Sequence, residues 1–278
     1  MKYKILNLED TNFSPQASSI LQTVGQIDNF KSTKNKLNKI INKYEVIIVR
    51  LKYQISREIL KKAKNLKFIL TATTGLDHID IEYAKKKKII IISLKGETQF
   101  LKSITATAEH TWGVILNIMR NVNSAHSDVV NGRWDRDKFK GNSLKNKTIG
   151  IIGLGRIGKQ VSQYAIAFKM KVVFYDNNRV IKSTSKLKRV SLKKLLMMSD
   201  IISIHIPYNP KNEKFLNKKL IDLINHNAVI INTSRGRIYD EKYILNRIKA
   251  GKIKGLATDV IYNENLIRKK GKNILKNE

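Results

Sequence analysis

Three glycines, Gly153, Gly155 and Gly158, stand in the spacing G-x-G-x-x-G between an apolar run and a helix-period segment. The run Thr148–Ile152 enters the turn, and a second apolar run at 172–175 ends on an acidic residue, Asp176. Each glycine answers a different demand. Gly153 permits a tight turn, Gly155 lets the main chain approach a pyrophosphate, and Gly158 lets the following helix pack closely on the sheet. Arg156 and Ile157 open that helix, whose first N–H groups and positive dipole end suit phosphate oxygens. Asp176, about 20 residues after the turn, is placed to accept from both hydroxyls of a ribose. A carboxylate there favours NAD over NADP, because a 2′-phosphate would meet like charge. The rival reading is a triphosphate loop, Gly153-x-x-x-x-Gly158-Lys159. It fails at Gln160, where a Ser or Thr hydroxyl must meet Mg²⁺.

The elements that must position this turn alternate between strand-like and helical runs, which predicts an α/β chain with parallel sheets. Strands are expected at 3–6, 45–50, 67–71 and 89–93, and helices at 16–24, 32–43 and 56–64. Residues 105–121 read as one long, mostly apolar helix without proline or central charge, suited to burial between two domains. Its apolar face exceeds what one subunit covers, which predicts a homodimer. Five strands from Thr148 onward, with those at 201–205, 228–232 and 255–259, build a Rossmann-type doubly wound sheet. Helices are expected at 192–198, 218–223 and 241–250, with Ser191 and Asp240 as N-caps and Gly251 as a stop.

Composition narrows the function classes. Lys and Arg number 54 against 22 Asp and Glu, a formal charge of +32. Such a field attracts nucleic acid and anionic lipid. The cations are mostly Lys, however, spread along the chain beside much Ile and Asn, as biased codon usage produces. No basic run is interleaved with stacking aromatics, so no specific nucleic-acid partner is expected. The lysines at 85–88 read as a solvated helix end. With no Cys, disulfides and thiolate metal sites are excluded, and a cytoplasmic location is expected. The start, MKYKILNLED, lacks the apolar stretch of a signal peptide, and no run is long enough to span a membrane.

Beyond the glycine turn, further motifs follow in order: Thr74-Gly75-Leu76-Asp77-His78-Ile79-Asp80, Ala108-Glu109-His110, Gly132-Arg133-Trp134, His205-Ile206-Pro207, Ile231-Asn232-Thr233-Ser234-Arg235-Gly236, and Gly255-Leu256-Ala257-Thr258-Asp259-Val260 with Glu264. From about residue 45 to residue 264 the chain resembles the D-isomer-specific 2-hydroxyacid dehydrogenases, in particular their phosphoglycerate dehydrogenase-like members. The resemblance implies a smaller flavodoxin-like substrate domain over 1–100 and an NAD-binding Rossmann domain over 101–278. It implies that Arg235 clamps the carboxylate and carbonyl of a small anionic 2-hydroxy or 2-oxo acid, a job suited to a planar fork. Thr233 and Ser234 would line the nicotinamide side, and Asp259 would reach the carboxamide or ribose. His205 and Pro207 would contact the cofactor at that edge. Thr74 and Gly75 would hold the substrate carboxylate by their backbone, and Arg50 would add positive charge for an anionic or phosphorylated substrate. Glu264 would hold a catalytic histidine and raise its pKa while hydride moves at the nicotinamide.

The family places that histidine in a Pro-His turn downstream of its acidic residue. Here the histidines are 78, 110, 126, 205 and 226, and Asn265 stands where the proline is usual. His205 reads as a cofactor contact, His226 as lying at the opposite sheet edge, and His110 and His126 as packing residues. His78, near the substrate loop, is the one contender for proton transfer. The expectation is a truncated or decayed member that keeps its cofactor site and has impaired chemistry. The alternative is a non-catalytic NAD sensor or scaffold, and a third class is a basic nucleic-acid binder.

Overall fold

Short runs of isoleucine and valine form two separate parallel sheets, each covered by helices whose apolar stripes match them. The computed structural model describes residues 2–9, 13–31 and 34–262. The chain divides into the units Met1–Leu101 and Lys102–Glu278.

The first unit runs β1 (Tyr3–Asn7), α1 (Pro15–Val24), β2 (Gly25–Asn29), α2 (Lys34–Ile40), β3 (Val46–Ile48), α3 (Arg57–Lys62), β4 (Phe68–Thr71), α4 (Ile81–Lys86) and β5 (Ile90–Ser93). Its strands are ordered β2-β1-β3-β4-β5, the flavodoxin-like arrangement. The period of two is visible in β3. Val46 and Ile48 pack with Ile5 on one face, while Ile47 joins Ile59, Leu60 and Ile69 on the other. The sequence reading missed β2, because Gly-Gln-Ile-Asp-Asn has a single β-branched residue. Pairing makes it a strand: Tyr3 to Asn7 run in register with Gly25 to Asn29. The Asn7 amide also donates to Asn29 Oδ1 at 3.0 Å. The lysine run closes α4, with Lys87 as its C-cap and Lys88 at φ 57°.

Helix α5 (Thr98–Lys102) crosses the boundary in the chain, and the second unit continues with α6 (Ala106–Arg120) and α7 (Val122–Val130). Then come β6 (Thr148–Ile152), α8 (Arg156–Ala167), β7 (Lys171–Tyr175), β8 (Leu187–Arg189), α9 (Leu192–Met198), β9 (Ile201–Ile204), α10 (Lys218–Ile221), β10 (Val229–Asn232), α11 (Glu241–Lys249) and β11 (Gly255–Thr258). The order β11-β10-β9-β6-β7-β8 is the doubly wound Rossmann order read from its far edge. All five residues of β6 are buried, as a parallel strand covered on both faces requires. Ile149 and Ile151 pack toward Ala108 and Ile115 of α6 and Val161 and Ala165 of α8. Ile152 packs the other way, with Leu195 of α9 and Ile244 of α11. Burying each such side chain contributes about 1.5–3 kcal/mol.

Six strands stand where five were expected. The extra one, β8, has no apolar alternation; side-chain anchoring makes it. Arg189 donates from Nη1 to the Asp176 carbonyl at 2.7 Å and from Nε to the Ile181 carbonyl at 2.9 Å. Its guanidinium also lies 5.1 Å from the Phe174 ring centroid. The helix at 105–121 forms as expected, and the unit's own core takes up its apolar face, packing it on α8, β10 and β11. Exposed apolar side chains are spread over both units, and four of them, Val122, Val129, Val130 and Trp134, lie on α7 and just beyond it. Ser191 and Asp240 cap α9 and α11, accepting from Lys194 N and Tyr243 N, and Gly251 follows α11 at φ 65°. Among the described residues, no helix is long and apolar enough to cross a membrane.

Candidate dinucleotide and substrate site

The turn after β6 is shaped by what its three glycines lack. Gly153 sits at φ 92°, a conformation side-chain-bearing residues rarely adopt. A Cβ there would stand 2.7 Å from Ile206 Cγ2 and 3.0 Å from the His205 backbone. A Cβ on Gly158 would collide with the Gly153 carbonyl oxygen, so only glycine lets α8 start this close to the strand end. At Gly155, by contrast, a Cβ would meet nothing within 4 Å. Two glycines are thus explained by the protein itself, and the third opens onto free space beside a helix N-terminus. That arrangement fits a bound pyrophosphate.

The side chains of this turn are largely occupied in building it. Arg156 Nη1 donates to the Ile104 carbonyl at 2.8 Å, and Gln160 Nε2 to the same oxygen at 3.2 Å. Gln160 therefore braces the chain entering α6. Ile157 is half-buried against the core. Asp176 ends β7 with its carboxylate already oriented: Oδ2 accepts from Leu154 N and Oδ1 from Asn178 N, both at 2.7 Å. An ionised carboxylate has about four acceptor positions. Two remain for a ribose.

The other end of this edge is assembled from the loops after β9, β10 and β11. Asn232, fully buried, organises the turn beyond β10. Its Oδ1 accepts from Ser234 N at 2.9 Å and Ser234 Oγ at 2.7 Å, and its Nδ2 donates to the Arg235 carbonyl at 2.9 Å. That locks the Thr233-Ser234-Arg235 turn. Arg235 is half-buried, with Nη1 donating to the Ser234 carbonyl at 2.8 Å. Gly236 is required for a close approach: a Cβ there would strike the backbone of Ile261, where the chain returns from β11. Thr233 Oγ1 lies 2.7 Å from Thr111 Oγ1 of α6. Asp259 Oδ2 lies 3.1 Å from His110 Nε2.

His205 follows β9 against the glycine turn, its ring nitrogen Nε2 2.8 Å from Ser203 Oγ. The residue keeps some accessible surface, but burial pushes its imidazole down to about 4, so the ring is neutral near pH 7. Pro207 is exposed, and its carbonyl accepts from Asn212 Nδ2 at 2.6 Å. Glu264 lies outside the described residues. The chain leading to it is held at Tyr262, whose N–H donates to Glu241 Oε2 at 2.8 Å and whose hydroxyl donates to Glu213 Oε1 at 2.7 Å.

Two histidine expectations need correction. His110 is not a packing residue; its side chain is 54% exposed and turned to Asp259. His78 is 1% exposed, with Nε2 3.3 Å from Thr71 Oγ1, so it supports the loop after β4 rather than meeting a substrate. His226 precedes β10, at the expected opposite edge. Sequence reading also passed over Asn232, Thr111 and His110 as working parts. A polar residue ending the apolar run at 229–231 is a usable signal for Asn232. His110 stands in the motif Ala108-Glu109-His110, and nothing local marks Thr111.

In the first unit, Arg50, Thr74 and Gly75 all lie beyond the C-terminal ends of the neighbouring strands β3 and β4. The Arg50 N–H donates to Glu9 Oε1 at 3.0 Å, and the residue is exposed. Thr73 Oγ1 donates to the Gly75 carbonyl at 2.8 Å, which turns that oxygen into the loop.

Comparison with known proteins agrees with this geometry. Residues 112–277 match the family profile described as D-isomer specific 2-hydroxyacid dehydrogenase, NAD binding domain. A D-3-phosphoglycerate dehydrogenase of Methanocaldococcus jannaschii is 36% identical over 252 residues, covering 89% of this chain and 47% of that protein. The chain thus spans about half the length of this relative. A hydroxypyruvate reductase of Thermotoga maritima is 33% identical over 227 residues, covering 82% of this chain and 72% of the relative. Among solved structures, a D-lactate dehydrogenase of Aquifex aeolicus, complexed with NAD and lactic acid, superposes with a TM-score of 0.84 at 30% identity. It covers 99% of this chain, which covers 83% of it. With its strand order, its three-glycine turn and Asp176 all in place, this chain belongs to the D-isomer specific 2-hydroxyacid dehydrogenase family, and its second unit carries that family's NAD-binding domain.

Proposed function

We propose that the protein is an NAD-dependent oxidoreductase acting on a small D-2-hydroxy acid or the matching 2-oxo acid, with a phosphoglycerate-like substrate favoured. The observation that carries the reading is the placement of Arg235. It stands at the C-terminal end of β10, on a turn locked by Asn232, along the same sheet edge as the glycine turn. Ligands of open α/β sheets bind along that edge. NAD, when bound, supplies a hydride donor or acceptor at its nicotinamide ring. Arg235 orients the acid by a two-pronged grip on carboxylate and carbonyl oxygens and stabilises charge developing on the latter. Thr74 and Gly75 hold the carboxylate through backbone groups, and Arg50 supplies charge for a phosphorylated substrate. Glu264, on the strength of the family pattern alone, is the acidic partner that holds a catalytic histidine and raises its pKa. The exposed apolar side chains of α7 and Trp134 support a homodimer.

Steady-state kinetics with NADH and a panel of 2-oxo acids test the assignment. Arg235→Ala is expected to lower kcat/KM by about 10²–10³-fold and to leave NADH affinity unchanged. Equal loss of affinity and turnover would refute the role given to Arg235. A chain that binds NADH yet reduces no 2-oxo acid, before or after substitution, would instead be the cofactor-sensing protein.

A further inference from the structure

Helix α6 presents two consecutive side chains to the ends of two adjacent strands. Thr111 meets Thr233 beyond β10, and His110 meets Asp259 beyond β11. The two contacts differ in kind. Thr111 is fully buried, whereas the His110–Asp259 pair is open to solvent, with side chains 54% and 41% exposed. A pair that exposed adds little to folding stability. Its effect is on orientation. Among the described residues, His110 is the only hydrogen-bonding or ion-pairing partner of the Asp259 carboxylate, and it engages Oδ2 alone. Oδ1 is left to accept from something else.

We propose that His110 is a positioning residue for the nicotinamide half of the cofactor. It holds the Asp259 carboxylate in one rotamer, so that Oδ1 is ready to accept from the carboxamide N–H of the nicotinamide. Fixing that side chain before the ligand arrives removes an ordering cost from binding. The inference rests on the reading of Asp259 as a nicotinamide-side acceptor. It adds that this acceptor is set by a residue of α6, an element outside the strand ends that carry the other cofactor contacts.

Equilibrium titrations with NADH and with ADP-ribose separate the possibilities, since ADP-ribose keeps the adenosine and diphosphate and lacks the nicotinamide. His110→Ala is expected to weaken NADH binding roughly three- to tenfold, the cost of ordering one side chain on binding. ADP-ribose affinity should stay within about twofold, as for other exposed substitutions, which also reports an intact fold. His110→Gln, whose side-chain amine can take the place of Nε2, should restore most of the NADH affinity. Asp259→Ala serves as the reference. If it discriminates between the two ligands and His110→Ala does not, the positioning role is wrong while the reading of Asp259 stands. If Asp259→Ala leaves both affinities unchanged, that reading fails and the inference with it. Equal weakening of both ligands by His110→Ala would reveal a merely structural residue and overturn the proposal.

Discussion

At the Gly153 turn the groups offered to a ligand are main-chain N–H groups, whereas beyond β10 and β11 they are side chains held by other side chains. The first region needs glycines because backbone must come close to backbone. The second needs Asn232, Thr111 and His110 because a side chain left to rotate would present its polar atoms in several directions. The two regions should therefore fail differently. Damage at the open position of the turn, Gly155, should cost affinity with little change in fold, and damage at the far end should loosen the loops themselves.

The largest effect expected along this contrast is Asn232→Ala. It removes the acceptor of Ser234 N and Oγ and the donor to the Arg235 carbonyl in a buried position. A loss of roughly 2–4 kcal/mol follows from those unpaired groups, measurable by urea unfolding, with turnover falling further than stability explains. Wild-type stability in this variant would dissolve the contrast.

Gly155→Val should do the opposite. A Cβ at this position meets no protein atom within 4 Å, so the added side chain enters the space assigned to the pyrophosphate. NADH affinity should fall about 10- to 100-fold, while the unfolding midpoint stays unchanged. Undiminished binding would place the phosphates elsewhere.

At neutral pH the smallest effect belongs to His205, which lies where the two regions meet. Its folded pKa of about 4 is below the unfolded value of 6.5. The unfolded chain therefore takes up the proton first as pH falls. Stability from this group is fully present above 6.5, declines as pH drops through that value, and is lost by about pH 4. The penalty reaches about 3 kcal/mol at acid pH, and His205→Gln should flatten that part of the profile. An unchanged slope between pH 7 and 5 would show that the ring is not enclosed.

Legibility in the sequence followed the same division. The glycine turn, the burial of β6 and β3, the caps at Ser191 and Asp240 and the helix end at Lys86 were all readable from residues close together in the chain. The edge strands β2 and β8 were not, since pairing with β1 and the anchoring of Arg189 make them strands, rather than any apolar alternation. The apolar face of α6 reads as a surplus in the sequence, and the structure covers it within its own unit, because periodicity reports a stripe without saying what covers it.

What the amino-acid order determined by itself is the parallel α/β architecture and the dinucleotide turn, where a steric demand on φ or on a Cβ is met at the position that feels it. Only the tertiary structure decided which side chains hold the far end. Thr111 and Thr233 are 122 residues apart, and their hydroxyls meet only once α6 has packed on the finished sheet. Hydrogen bonds of that kind leave no periodic or local trace, because either partner alone is an ordinary polar residue until the fold brings the other to it.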